Sequence, residues 1–286
     1  MLTESEKQRI AESTRKYVEQ YGSQNAAANS LKGVSSATLS QINNQNWELI
    51  KDSMWRNIAA QIGHSKITWV HAHTTNFNRL HKFLADAQDE SMVFAVIGPA
   101  GSGKSATLEY YNNEQPNTYL IQCNDYWNKK LFLSELLNKM GKDHNGLSVA
   151  QMMNTAVQSL KKKETPLIII DEVDKLPDHV LYFFITLYNR LEDYCGFVLI
   201  ATAYLKTRIE RGIRLNKKGY DELYSRMGRK FIELDRPNST DIMSVCMVNG
   251  IKDKPNIKNI VEDSFGDLRR VKKKITGIKK DQLNAA

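Results

Sequence analysis

The sequence predicts an α/β protein: a parallel sheet flanked by helices, with an all-helical segment before it and a small helical segment after it. Three observations carry this. From Phe77 to about Asp235, short apolar runs alternate with helix-length stretches, the rhythm of strands joined by crossover helices. One of these runs, ending at Ile97, breaks into Gly98, Gly101 and Gly103 and resumes as a helix. Residues 1–62 read as short helices separated by small and polar residues, and beyond Pro237 the chain turns helical and basic, ending in GDLRRVKKKITGIKK.

In chain order, Ser23 and Ser35 have the right chemistry to cap two short helices, because a serine hydroxyl accepts from a free amide of the first turn. Alanines in the first helix allow a second to approach closely, and Gly33 suits the tight turn between them. Val34, Leu39 and Ile42 form the inner face, leaving Ser36, Thr38, Gln41 and Asn43 outward. This looks like a helix-turn-helix of the phage-repressor type, whose outward amides and hydroxyls bond base edges and phosphates. Helical packing without DNA contact is the other reading. Trp47, Ile50, Trp55 and Ile58 supply a further helix. A linker follows over residues 63–76, then the α/β core over 77–236 and the helical end over 237–286. Within the core, MVFAVIG, NTYLIQC, PLIIID, GFVLIAT and the weaker RKFIELD are the strands.

The formal net charge of +8 favours polyanionic partners through steering and counterion release. Cys123, Cys195 and Cys246 lie far apart and form no CxxC pair, which argues against a disulfide framework or a zinc site and for a reducing cytoplasm. No apolar run is long enough to cross a bilayer, and Met1 to Ile10 is too polar for a signal peptide, so no membrane partner is expected. The pair His71 and His73 lacks a third ligand and reads as linker.

Gly98, Pro99, Ala100, Gly101, Ser102, Gly103, Lys104 and Ser105 fit G-x-x-x-x-G-K-[ST] without a mismatch, with Ala106 continuing into the helix. Glycines let successive amides turn inward around phosphate oxygens, where a Cβ would collide. The helix opening at Lys104 aims its positive end at the same anion. Lys104 would reach the β and γ phosphates, and Ser105 would ligate Mg2+. Further on, Leu167 to Asp171 and Glu172 read as a buried strand delivering two carboxylates at its C-terminal edge. Asp171 would hold Mg2+ through water, and Glu172 would orient and deprotonate the attacking water. Together the two motifs point to an ATP-hydrolysing enzyme.

Three further positions suggest themselves. Thr202 ends the strand GFVLIAT; if that strand lies between the two motif strands, Thr202 touches the γ-phosphate or its water, and otherwise it caps the next helix. Arg226 precedes the last strand, where it either reaches a neighbouring subunit's nucleotide or is a surface arginine. Arg269 opens the final helix, where a small lid would lay it over the phosphates.

In order and spacing these features resemble the AAA+ P-loop NTPases: Walker A, Walker B, sensor 1, arginine finger, and sensor 2 in a helical lid. A helix-turn-helix, a linker and a compact AAA+ module with a basic end are together similar to the MuB-like ATPases of DNA transposition, relatives of the TnsC-like and IstB-like ATPases. Gly98 to Ser105, Leu167 to Glu172 with the following Val-Asp-Lys-Leu, and Leu-Tyr-Ser-Arg226 carry the resemblance. Sensor 1 is threonine here where relatives often have asparagine. The resemblance implies an ATPase stimulated by DNA and by its partner, using ATP and Mg2+. Such a protein assembles with copies of itself, as a filament or ring, on double-stranded DNA and presents that DNA to a transposase. Candidate DNA contacts are Lys161, Lys162 and Lys163, the loop Arg208 to Lys218 with Lys217 and Lys218, and the tail Arg269 to Lys280; solvated charged faces are the alternative. Two rival readings are a helicase loader or replication initiator, and a helix-turn-helix transcription regulator in which the nucleotide is only sensed.

Overall fold

In the computed structural model the described residues are 2–63 and 69–285. The chain divides into two compact units, residues 1–68 with 130–156, and residues 69–129 with 157–286.

The first unit opens with α1 (Glu4–Tyr21), capped by Thr3 in a reciprocal box with Glu6 and closed by Gly22 in the left-handed region. Next come α2 (Gln24–Ser30) and α3 (Ser36–Asn43), whose first turns are capped by the hydroxyls of Ser23 and Ser35 as expected. A 3-10 turn at Trp47–Leu49 leads into α4 (Asp52–Gln61). Ile10, Ala27, Leu39, Ile42, Trp55 and Ile58 are among the buried core of these helices. Val34, Leu39 and Ile42 are inside, as their spacing predicts. Residues 130–156 join this unit, although the sequence places them in the α/β core. A Cβ built on Gly141 would fall 2.6 Å from that of Ala26, so this segment lies directly on the start of α2.

In the second unit the core is a five-stranded, all-parallel sheet. Its elements run α5 (Thr75–Asp89), β1 (Val93–Ile97), α6 (Lys104–Glu114), β2 (Thr118–Gln122), α7 (Lys129–Lys139), α8 (Val149–Leu160), β3 (Leu167–Asp171), α9 (Asp178–Leu191), β4 (Gly196–Ala201), α10 (Tyr204–Arg214), α11 (Tyr220–Arg226) and β5 (Phe231–Glu233); α7 and most of α8 belong to the first unit. Strand order is β2-β3-β4-β1-β5, with Gln122 beside Asp171 and Ile97 beside Ala201. All five strands expected from the sequence are present. Residues of β3 and β4 are buried throughout, as expected of parallel strands covered on both faces. On one face Leu80 and Leu84 of α5 and Leu108 and Tyr111 of α6 meet Val96, Ile169 and Val198. On the other, Phe184 of α9 packs edge-on against Phe197 at 5.3 Å.

Three helices follow: α12 (Ser239–Val248), α13 (Lys254–Ser264) and α14 (Leu268–Ala285). They share a small core of their own, including Ile242, Cys246, Ile260, Val271 and Ile275. The expected linker differs here. Positions 64–68 lie outside the described residues. Beyond them Ala72 is buried in that same core, and Val70 exchanges hydrogen bonds of 3.0 and 2.9 Å with the Asn249 amide. Thr74 then caps α5, so the helix begins inside the segment read as linker. Small and polar residues suggested a free connector, but they serve here as backbone partners for buried groups. Among the described residues, no helix is long and apolar enough to cross a membrane.

Candidate active site

The site forms where β1, β3 and β4 end together at the C-terminal edge of the sheet, the edge at which parallel α/β folds bind ligands. β4 does lie between the two motif strands, the arrangement on which the placement of Thr202 depended.

The turn from Gly98 to Gly103 is shaped by backbone that side chains do not tolerate. Gly101 has φ +75° and Gly103 φ +94°. A Cβ at Gly101 would meet the Asp267 carboxylate at 2.1 Å, and the Leu268 amide donates to the Gly101 carbonyl at 2.9 Å. The start of α14 is thus fastened onto the glycine turn. From the other side the buried Asn76 donates to the carbonyls of Ser102 (3.2 Å) and Asp235 (2.7 Å). The Lys104 ammonium donates to the carbonyls of Gly98 (2.7 Å) and Pro99 (2.8 Å) and to Ser102 Oγ. Burial pushes the Lys104 pKa down, with the nearby Arg269 adding to this and Asp171 opposing it. Ser105 and Ala106 lie in the first turn of α6, with Ala106 exposed.

The acids converge on this turn. Ser105 Oγ donates to Asp171 Oδ2 at 2.9 Å, and the Glu172 amide donates to Asp171 Oδ1 at 2.8 Å. Asp171 is only 5% exposed, and burial raises its pKa above the ordinary aspartate value. Glu172 occupies the left-handed region at φ +55°, a strained conformation for a non-glycine residue and one that recurs at functional positions. Its Oε2 accepts from Gln122 (3.1 Å) and Lys175 (2.7 Å). Thr202 Oγ1 donates to Asp174 at 2.5 Å and accepts from the Tyr204 amide at 3.4 Å, so it both meets the acidic segment and caps α10.

A hydroxyl and a carboxylate, with no nitrogen or thiolate, make a hard-oxygen donor pair that suits Mg2+. Among the described residues no group of three or more His, Cys, Asp or Glu could hold a metal alone. This agrees with a cation that takes one or two protein ligands and completes its shell with phosphates and water. His71 and His73 instead face the rings of Tyr110 and Phe77 at 5.3 and 4.7 Å.

The remaining sequence candidates are spread over the chain. Arg226 ends α11 and lies 3.9 Å from both Glu192 and Glu222, over the Tyr188 ring, with its buried Nε unpartnered. Arg269 is exposed on α14, next to the turn that α14 touches. Lys161 stands over the Tyr194 ring at 4.4 Å, while Lys162 and Lys163 are exposed. Ser36, Thr38, Gln41 and Asn43 are half-buried, and Thr38 Oγ1 is bonded to Ser35 Oγ. The stretch Arg208 to Lys218 is not a loop. Residues 204–214 are α10, and Arg208 is turned inward, bonded to Asp178, Tyr220 and the carbonyls of Asp174 and Leu176. Only the short turn that follows, with Lys217 and Lys218, is exposed connection.

Sequence reasoning missed Asn76, Gln122 and Asp267. Gln122 left a faint sign as the polar end of an apolar strand; Asn76 left none.

Fold and site together define a P-loop nucleotide-binding domain of the AAA+ type. Consistent with this, residues 85–209 match a family model described as AAA domain, which points to the AAA+ P-loop ATPases and suggests an NTPase. The match takes in the glycine turn, both acids and Thr202, and ends before Arg226 and Arg269. A comparison with curated proteins finds no match.

Proposed function

We propose that this chain is an ATP-dependent, largely sequence-non-specific DNA-binding ATPase that assembles on duplex DNA and delivers it to, or activates, a transposase. The observation that carries the catalytic part is the 2.9 Å bond joining Ser105 of the glycine turn to Asp171 of β3. It puts the phosphate-binding and cation-binding halves of an ATPase in contact. With bound ATP and Mg2+ supplying the phosphoryl group and its counter-charge, the chain's own groups divide the work. Amides of the Gly98–Ser105 turn cradle phosphate oxygens. Lys104 leaves its carbonyl acceptors for the β and γ phosphates, Ser105 and Asp171 hold the cation, and Glu172 takes the proton of the attacking water. Arg226 of one copy completes the site of the next, so that nucleotide state governs the contact between copies.

The DNA part rests on the basic balance of the chain, on the helical residues 1–62 read as a helix-turn-helix, and on the resemblance to the MuB-like ATPases. Electron microscopy of the purified protein with random-sequence duplex DNA tests it. Regular coating of DNA with a non-hydrolysable ATP analogue, and bare DNA without nucleotide, is the expected result. Coating that ignores nucleotide would overturn the proposed cycle. Glu172→Gln is expected to keep ATP affinity while turnover falls by about a hundredfold or more, the usual contribution of a general base, read by phosphate release.

A further inference from the structure

A pocket of about 290 Å³ lies apart from the glycine turn, between α10 and α11. It is at the small end of ligand sites, sized for one ionic group rather than a whole cofactor. Gly212 makes it possible. A Cβ there would come within 2.4 Å of the Tyr220 ring, so the two helices approach closely, with Tyr220 as a wall. Tyr204 lines the pocket and is 62% exposed.

The charge around this pocket is one-sided. Between Tyr204 and Tyr220 stand Lys206, Arg208, Arg211, Arg214, Lys217 and Lys218 against a single acid, Glu210. Two of these cations are committed, Lys206 to Glu233 and Arg208 to Asp178. Asp178, the pocket's one carboxylate, also accepts from the Tyr220 hydroxyl at 2.9 Å, so its charge is already answered. Arg211 and Lys217 line the pocket, are exposed, and form no ion pair among the described residues. Arg214 and Lys218 stand nearby in sequence, equally unpaired. The other basic segments are less free: Lys161 is over Tyr194, Lys272 over Trp69, Arg270 over Phe265, and Lys274 is bound to Asp263.

We propose that this pocket receives a backbone phosphate of duplex DNA, held by Arg211 and Lys217, and that it is the principal DNA contact of the ATPase unit. The proposal rests on the DNA-binding reading above and gives it an address. Unpaired cations around a small pocket suit a phosphodiester, which needs charge and a donor or two but no base-edge readout. The floor of the pocket also leads to the active site. Arg208 grips the carbonyls of Asp174 and Leu176, and Asp174 binds Thr202, so a phosphate seated here rests on the segment that follows Glu172.

The test compares the full chain with Arg211→Ala/Lys217→Ala and, as a second basic site, Lys161→Ala/Lys162→Ala/Lys163→Ala, all with saturating ATP analogue. Binding of labelled random-sequence duplex DNA is read by fluorescence anisotropy across a salt series. The double variant is expected to bind about tenfold or more weakly near 0.1 M salt, with the salt slope reduced by about 2, one for each lost phosphate contact. Its ATP affinity and thermal midpoint should be unchanged, since both side chains lie on the surface, and the triple variant should bind like wild type. Wild-type affinity and slope in the double variant, or a loss confined to the triple variant, would overturn the pocket while leaving the DNA reading intact. If the wild-type chain binds no duplex DNA in any nucleotide state, the DNA reading itself fails.

Discussion

Asp171 shows what the site costs at the scale of one residue. Its carboxylate is buried, and burial raises its pKa, so the fold by itself favours the protonated acid. The sign follows directly. A folded pKa raised above the unfolded one adds stability only at low pH and subtracts it as pH climbs through the raised value. At neutral pH the ionised group is therefore a liability that a bound cation relieves. Asp171→Asn keeps the shape and can still meet Ser105 and the Glu172 amide. It is expected to raise the thermal midpoint of the nucleotide-free protein at pH 7, to lose that advantage toward acid pH, and to abolish Mg2+-dependent ATP hydrolysis. Calorimetry from acid to neutral pH with a phosphate-release assay checks it; a lower midpoint at pH 7 would mean that the carboxylate stabilises the fold. Lys104, Ser105, Asp171 and Glu172 were legible because their chemistry sits inside contiguous motifs flanked by a strand or a helix. Asn76 and Gln122 were not. Each is one polar side chain in an ordinary element, and its partners, Ser102 and Asp235 or Glu172, are distant in sequence.

Among elements, strands were the easiest to read, because fully buried parallel strands appear as unbroken apolar runs closed by polar residues. α10 was the hardest. Its density of arginine and lysine and its internal Gly212 look like a loop, yet Leu205 and Ile209, one helical turn apart, are completely buried and fix the helix. Gly212 breaks helical propensity locally because α11 packs on it: a Cβ there would lie 2.4 to 2.7 Å from the Tyr220 ring. Gly212→Ala should therefore act against propensity, which alone favours alanine in a helix. We expect a loss of about 1–3 kcal/mol by urea denaturation, the range for forcing extra volume into a packed contact. Weaker grip of Tyr220 on Arg208 and Asp178 should accompany it. A stabilised Gly212→Ala would show that α11 moves aside freely. The same limit hid the membership of residues 130–156, since apolar helices carry no mark of which unit they pack in.

For the whole molecule the deciding group is Arg226. Two glutamates at 3.9 Å and the Tyr188 ring hold it, distances longer than a direct hydrogen bond, and its buried Nε has no partner. An unsatisfied guanidinium nitrogen is costly in a finished structure and reasonable in a group that acquires another partner on assembly. If that partner is the phosphate on a neighbouring copy, turnover belongs to the contact between copies rather than to either one. Arg226→Ala keeps its own nucleotide site but offers no arginine; Lys104→Ala offers the arginine but holds no phosphate. Each alone should be nearly inactive. Mixed in equal amounts on duplex DNA, random neighbours restore one contact type in four, so turnover per subunit should recover to about a quarter of wild type at most. Phosphate release titrated across the mixing ratio reads this directly, with a maximum near equal proportions. A flat, inactive series would place Arg226 in the support of its own subunit, where Glu192 and Glu222 already reach it.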